Sequence, residues 1–173
     1  MKMATPRALL VVAALLAAGP ALAKSTDRNE PMNIDAGAQS GTLAGDGKTV
    51  LSQGVIITQG TLDLRSAEAE IHLRDGEPVR VIFTGRQAKL KQQLDDGSWM
   101  DASADRIDYD VSSEIITLTG NYKVVSARGT NAGQRMVYNT RTGEMNSGGD
   151  GTRVRTVIQP KNKTATPAAQ GNK

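Results

Sequence analysis

The stretch that decides the fold is residues 62–83, LDLRSAEAEIHLRDGEPVRVIF. Leu62 and Leu64 alternate with Asp63 and Arg65, Ile71 and Leu73 flank His72, and Val79, Val81 and Phe83 resume the pattern beyond Asp75-Gly76. Successive side chains of a strand point to opposite faces, so this period of two marks strands half buried on one side. An Asp-Gly pair between two such runs accepts the positive φ angles of a tight hairpin turn. The signature continues outward through Ile107 and Tyr109, Met136 and Tyr138, and Val154, with continuous apolar runs at Val55-Ile56-Ile57 and Ile115-Ile116. Turn-forming clusters separate them at Gly45-Asp46-Gly47, Asp95-Asp96-Gly97, Arg141-Thr142-Gly143-Glu144 and residues 146–151. No helical period lasts beyond about two turns, and residues 36–40 are the one stretch that admits a short helical piece. The pattern predicts an all-β chain.

The N-terminus reads differently. Lys2 and Arg7 precede an apolar run over residues 8–18, Gly19-Pro20 breaks it, and Ala21-Leu22-Ala23 supplies the small-x-small pattern of a signal-peptidase site. The run falls short of the ~20 residues that span a bilayer. Residues 1–23 are therefore expected to be a cleaved signal peptide, with export to the periplasm and a mature domain over residues 24–159. Residues 160–173 hold no large apolar side chain and read as a disordered, Lys-rich tail, and residues 24–30 look similarly loose. Losing Lys2 and Arg7 takes the formal charge from +3 to about +1, which removes the case for a nucleic-acid partner.

The composition restricts the interior. Apart from Phe83 and Trp99 there are three Tyr, and there is no Cys. So few large aromatics suit a thin aliphatic sheet, or a cavity left for something else to fill. A weak repeat runs through the chain: Ser66-Ala67-Glu68 resembles Ser103-Ala104-Asp105, Ala132-Gly133-Gln134 is a looser copy, and Ile34-Asp35-Ala36-Gly37 begins a fourth. Gln53-Gly54-Val55-Ile56 likewise matches Thr119-Gly120-Asn121-Tyr122. Copies about every 30 residues fall in the range of stacked architectures, whose end units keep unpaired edges.

The search for chemistry returns little. His72 is the only His and sits in an alternating strand, where a solvated position is the plain reading. One His and no Cys leave zinc without a ligand set. Asp105, Asp108 and Asp110 could pair as in a glycosidase, but such runs ordinarily make a solvated face. Gly148-Gly149-Asp150-Gly151 is a single copy and reads as a turn rather than a calcium-binding roll. No phosphate-cradling loop is present. We expect no catalytic residues, no metal and no cofactor; edge-strand assembly is as far as composition reaches.

Seven stretches carry a resemblance. Residues 31–36 (PMNIDA), 51–62 (LSQGVIITQGTL) and 66–68 (SAE), with Arg74-Asp75-Gly76, residues 85–90 (GRQAKL), Leu118-Thr119-Gly120-Asn121 and residues 153–160 (RVRTVIQP), resemble in order and spacing the OstA-like, or LptA, family of lipopolysaccharide-transport bridge proteins. The resemblance covers residues 24–160. It implies a V-shaped β-jelly roll, a solenoid-like stack of about sixteen short antiparallel strands open at both ends, with a greasy interior for lipid A acyl chains. It also implies head-to-tail self-association and edge-strand joints to an inner-membrane LptC-like and an outer-membrane LptD-like protein, with the energy source elsewhere.

By the same resemblance Met32 and Ile34 match the N-terminal strand that meets lipid and the inner-membrane partner. Leu90 and Val111 match interior apolar positions, for which ordinary core packing is the competing reading. Arg74 and Gly76 match an Arg/Gly turn, where Arg74 would hold a sugar phosphate or a partner carboxylate, or remain a solvated charge. Leu90 stands where the family can carry an aromatic. Two rivals remain: a structural β-solenoid fibre that assembles by its edges without lipid, and a carboxylate-dependent glycan hydrolase.

Overall fold

The computed structural model describes residues 25–42 and 44–160, so the leader at 1–23 and the tail beyond residue 160 lie outside the described residues. A 3-10 helix, Ser25–Asn29, is followed by ten strands: β1 (Met32–Gly41), β2 (Gly47–Gln59), β3 (Leu62–Ser66), β4 (Glu68–Arg74), β5 (Glu77–Gln93), β6 (Trp99–Asp110), β7 (Ile115–Ser126), β8 (Gly129–Asn139), β9 (Met145–Ser147) and β10 (Arg155–Ile158). All belong to one antiparallel sheet in the order β1-β2-β3-β5-β6-β7-β8-β10, with β4 bridging β2 and β5, and β9 beside β8. Two local expectations are corrected. Residues 36–40 are not helical but lie inside β1, where pairing with β2 supplies the ladder. Residues 25–29 are ordered, because Asp27 is anchored in the roll.

The long strands do not run straight. Register shifts fall between Ala36 and Ala38 in β1, Thr84 and Ala88 in β5, Ser103 and Arg106 in β6, and Thr119 and Tyr122 in β7. These irregularities line up across the sheet as a seam. Extra residues in a strand bend it and sharpen its twist. Gln53 and Gly54 (φ 62° and 85°), Gln87 (φ 69°), and Gly120 and Asn121 (φ 78° and 45°) take up the positive angles there. Gly120 is needed in earnest: a Cβ would lie 2.8 Å from that of Asp105.

Backbone groups that the bulges expel from the ladder must find other partners. Gly54 N donates to Ala67 O, and Ala67 N to Thr84 O, both at 3.2 Å. Farther along, Asn121 N donates to Gln134 Oε1 at 3.3 Å, and Gln87 Nε2 donates to Asn121 O at 3.4 Å. Asn121 Nδ2 donates to Asp105 Oδ2 at 3.0 Å, and Gln134 Nε2 donates to Asn121 Oδ1 at 3.0 Å. The repeat copies in the sequence are the places where the chain crosses this seam.

The seam folds the sheet into two facing arms. The first contains β3, β10 and the halves of β1, β2, β5, β6, β7 and β8 that pair with them; the second contains β4, β9 and the other halves. Ten strands, six of them bent, are thus about sixteen straight segments, so the expected count describes segments rather than strands. One core lies between the arms. Val55, Ile57, Leu64 and Leu90 come from the first, and Leu51, Ile71, Phe83 and Ile107 from the second. Each such apolar side chain removed from water contributes ~1.5–3 kcal/mol, and alternation delivers one every second residue.

An apolar channel between two open edges

The space between the arms is not filled. At the β1 end a cavity of about 340 Å³ is lined by Met32, Ile34, Ile57, Leu62 and Leu64 from the first arm and Ile71, Leu73, Val81, Phe83, Tyr109 and Val111 from the second. It leads into a constriction of about 60 Å³ that shares Leu62, Leu64, Phe83 and Tyr109 with it. A further narrow space of about 30 Å³ is lined by Leu90, Met100, Leu118, Met136 and Met145, and shares Leu90 and Ile116 with the constriction. At the β10 end Val124, Met145, Val157 and Ile158 border an opening of about 230 Å³. Shared walls make this a series running the length of the roll, broad at both ends and pinched in the middle.

Among the described residues β1 bonds only to β2 and β10 only to β8, so each presents an edge. Apolar side chains are exposed at those ends: Met32 (41%) and Ile34 (39%) beside β1, and Ile158 (80%) on β10.

Of the five residues singled out in the sequence, Met32, Ile34 and Val111 meet along the broad cavity. Leu90, 4% exposed, sits at the constriction instead. Arg74 does not line the channel; it is exposed at the end of β4, in the hairpin that turns through Asp75-Gly76 into β5. Sequence reasoning passed over Leu62, Leu64, Ile71, Leu73, Phe83 and Tyr109 as lining residues, although the alternation that defined their strands already placed them on the inner face. It also missed Asp27. This buried side chain accepts a hydrogen bond from Thr61 Oγ1 at 2.5 Å and another from Gln92 Nε2 at 3.3 Å. It fixes the 3-10 helix against the constriction, and nothing in the apolar pattern announces it.

Most charge lies outside the channel, Asp27 at the constriction and Glu77 in the lining of the broad cavity excepted. On the outer face of the second arm Arg80 donates to both oxygens of Asp108, at 2.8 and 2.6 Å. That pair, followed by Arg106, holds the Asp108 carboxyl below its ordinary range despite partial burial. Glu70 is likewise lowered, chiefly by Lys48. His72 faces Glu70 at 3.4 Å from a half-exposed strand position. No group of three His, Cys, Asp or Glu among the described residues is placed to hold a metal ion, and no described helix is long and apolar enough to cross a membrane.

Fold and site together define an open-ended antiparallel β-roll with a series of largely apolar cavities between its arms. A family model described as "LptA/(LptD N-terminal domain) LPS transport protein" matches residues 33–144, and the chain belongs to that family. It is similar to the lipopolysaccharide export system protein LptA of Haemophilus influenzae, with 29% identity over 166 residues, 92% of this chain and 95% of that protein. The protein of the same description from Escherichia coli K12 is 29% identical over 170 residues, 92% of this chain and 91% of its own. Among solved structures, LptH, the LptA homologous periplasmic component of the lipopolysaccharide transport device of Pseudomonas aeruginosa, superposes with a TM-score of 0.69. Identity there is 25%, covering 78% of this chain and 99% of that one.

Proposed function

We propose that this protein is a non-enzymatic periplasmic carrier that shields the acyl chains of lipopolysaccharide on their way from the inner to the outer membrane. The observation that carries this is the channel: apolar cavities lie in series between the two arms, pinched in the middle and opening at both edges. Each methylene hidden from water is worth ~0.8 kcal/mol, so an acyl chain of about a dozen carbons gains ~10 kcal/mol gross. Interchangeable aliphatic contacts give similar affinity at successive positions, which lets cargo advance without a deep trap. Met32, Ile34 and Val111 would meet lipid first, and Leu90 would be met only as the constriction widens. Arg74, at the hairpin beside Leu73 and Glu77, would meet the phosphorylated sugars outside.

Edge strands would supply the joints. β1 would accept an inner-membrane LptC-like partner or the β10 end of another copy, and β10 would meet an outer-membrane LptD-like partner. The relatives' descriptions as lipopolysaccharide export proteins support the cargo. A structural fibre would share the edges but has no use for an open apolar interior.

The test places a photo-crosslinking residue at Ile34 in living cells and probes the adducts for lipopolysaccharide. Adducts that appear only while the transport pump is active are expected. Protein adducts alone, repeated at Ile34, Leu90 and Val111, would transfer the assignment to the fibre.

A further inference from the structure

Among the described residues strand pairing joins the two arms along one side only, at the seam. The opposite margin is made of strand ends. On the first arm these are the β2–β3 turn at Gly60-Thr61 and the close of β5 at Gln92-Gln93. On the second they are the ends of β6 and β8, beside Tyr109 and Thr140. Backbone pairing therefore leaves a slit down the side of the channel, besides its two open ends.

The 3-10 helix lies in that slit. Asp27 lines the constriction together with Gln59 and Gln92 from one margin and Tyr109 and Thr140 from the other. Thr61 Oγ1 and Gln92 Nε2, which donate to its carboxyl, both stand on the first-arm margin, and Gln59 Nε2 donates to Glu30 O at 3.0 Å just behind the helix. Gly60 makes the close fit possible. With φ at +57°, a Cβ there would lie 2.8 Å from Asp27 Cγ and 3.0 Å from its Cα. The hold on the helix is polar. Its sequence, STDRN, has no apolar residue, and among its described side chains Thr26 and Asn29 are exposed and only Asp27 is buried. It adds nothing to the apolar core, so a few hydrogen bonds keep it in place, and these exchange for water at small net cost.

A carrier of lipopolysaccharide needs that slit. An acyl chain fits between the arms, but a hydrated, phosphorylated sugar head cannot be drawn through a constriction of about 60 Å³ without giving up its water. The head must ride outside, with the link from head to chains passing through the slit, and a helix lying across the slit stands in its way. We propose that Ser25–Asn29 is a strap that closes the side of the channel at the constriction and swings out when a lipid with a bulky head moves past, an inference that rests on the carrier reading. Asp27 is its catch, and Glu30-Pro31 tether it to β1.

The chain has no Cys, so a nitroxide attached at the exposed Thr26→Cys reports on the strap alone. Rough lipopolysaccharide should turn its restricted spectrum into a mobile one. Dodecanoic acid, which has no bulky head, should enter by the ends and leave the spectrum restricted. Asp27→Ala should give the mobile spectrum with no lipid present. A second variant locks the strap: Asp27→Cys with Gly60→Cys brings two sulfurs within disulfide reach, because a Cβ at Gly60 falls so close to Asp27 Cγ. Withholding even two methylenes from the channel lowers affinity roughly tenfold. The oxidised lock should therefore bind lipopolysaccharide about tenfold more weakly than its reduced form, and dodecanoic acid equally well. Thermal melts check that each variant is folded. Lipopolysaccharide bound with the label still restricted, a restricted label in Asp27→Ala, or equal lipopolysaccharide binding by the oxidised and reduced lock would overturn the proposal. So would an equal loss of dodecanoic acid in the oxidised lock, since the strap would then stop every chain rather than the head. If every form takes up dodecanoic acid and none binds lipopolysaccharide, the carrier reading itself falls, and the strap's role with it.

Discussion

Replacing Gly129 with Ala should detach β10 while leaving the roll folded. Gly129 opens β8 opposite Ile158, with φ at +141°. A Cβ there would overlap the carbonyl oxygen of Val157 and lie 3.0 Å from Val157 C and 3.2 Å from Ile158 Cα. β10 has little with which to resist. Four residues pair with β8, and outside the ladder Gln159 N donates to Arg128 O at 3.0 Å and Asn131 Nδ2 to Thr156 Oγ1 at 2.9 Å. At ~1 kcal/mol net for each bond, the total is ~5 kcal/mol. Ordering four backbone residues costs ~1–2 kcal/mol apiece, so docking is nearly balanced. A backbone overlap exceeds what remains.

Because every β10 residue is exposed, the core loses almost nothing. Global stability should fall by less than ~2 kcal/mol, or about 8 °C in Tm for a chain this long. Amide hydrogen exchange at residues 155–158 should become nearly unprotected, while β5, β6 and β7 keep their protection. Head-to-tail association, measured by sedimentation, should weaken in parallel. Wild-type protection of residues 155–158 in the variant would refute the argument, and so would collapse of the whole sheet.

Other perturbations separate channel from core. Leu90→Ala should cost ~2–5 kcal/mol in denaturant titration, because Leu90 is buried at the constriction, whereas Leu62→Ala at a half-buried wall position should cost less. Ile34→Glu should change stability by no more than ~0.5 kcal/mol, yet suppress the fluorescence of an apolar dye bound in the broad cavity. Asp108→Asn should flatten the acid limb of stability. The folded carboxyl is depressed, so its contribution is full above about pH 4 and fades as pH falls through the lower folded value. With Arg80 half exposed that contribution is ~1 kcal/mol or less, read from thermal melts across acidic pH.

Much of this molecule is legible in alternation alone. The period of two over residues 62–83 yields β3, β4 and the start of β5, and Asp75-Gly76 marks the turn where Asp75 and Gly76 take positive φ. The repeat was visible too, but its meaning was not. Ala67, Asp105 and Gln134 recur because each stands where the chain crosses the seam, a fact that depends on pairing between strands distant in sequence. Bends of that kind look like strand ends when a sequence is read one segment at a time. The count of about sixteen short strands, implied by the family resemblance, matches the straight segments of the ten strands among the described residues. Asp27 escaped for a different reason: its partners Thr61 and Gln92 are 34 and 65 residues away, and a lone carboxylate in a polar stretch carries no local sign of burial. Met32, Ile34 and Val111 were placed by the family resemblance, and Val111 lies in the turn just past the end of β6.

The seam also acts as a lock on which strands can join an edge. β1 offers ten residues to an incoming chain, but its pairing line jogs between Ala36 and Ala38. A straight ribbon laid along that edge keeps step on one side of the jog and falls out of step on the other, forfeiting about half of its hydrogen bonds. Only a strand kinked at the matching place can be stitched along the full length. Stray unfolded segments, the usual recruits to an uncovered sheet edge, are thereby turned away, and a correct recruit is seated in a single register.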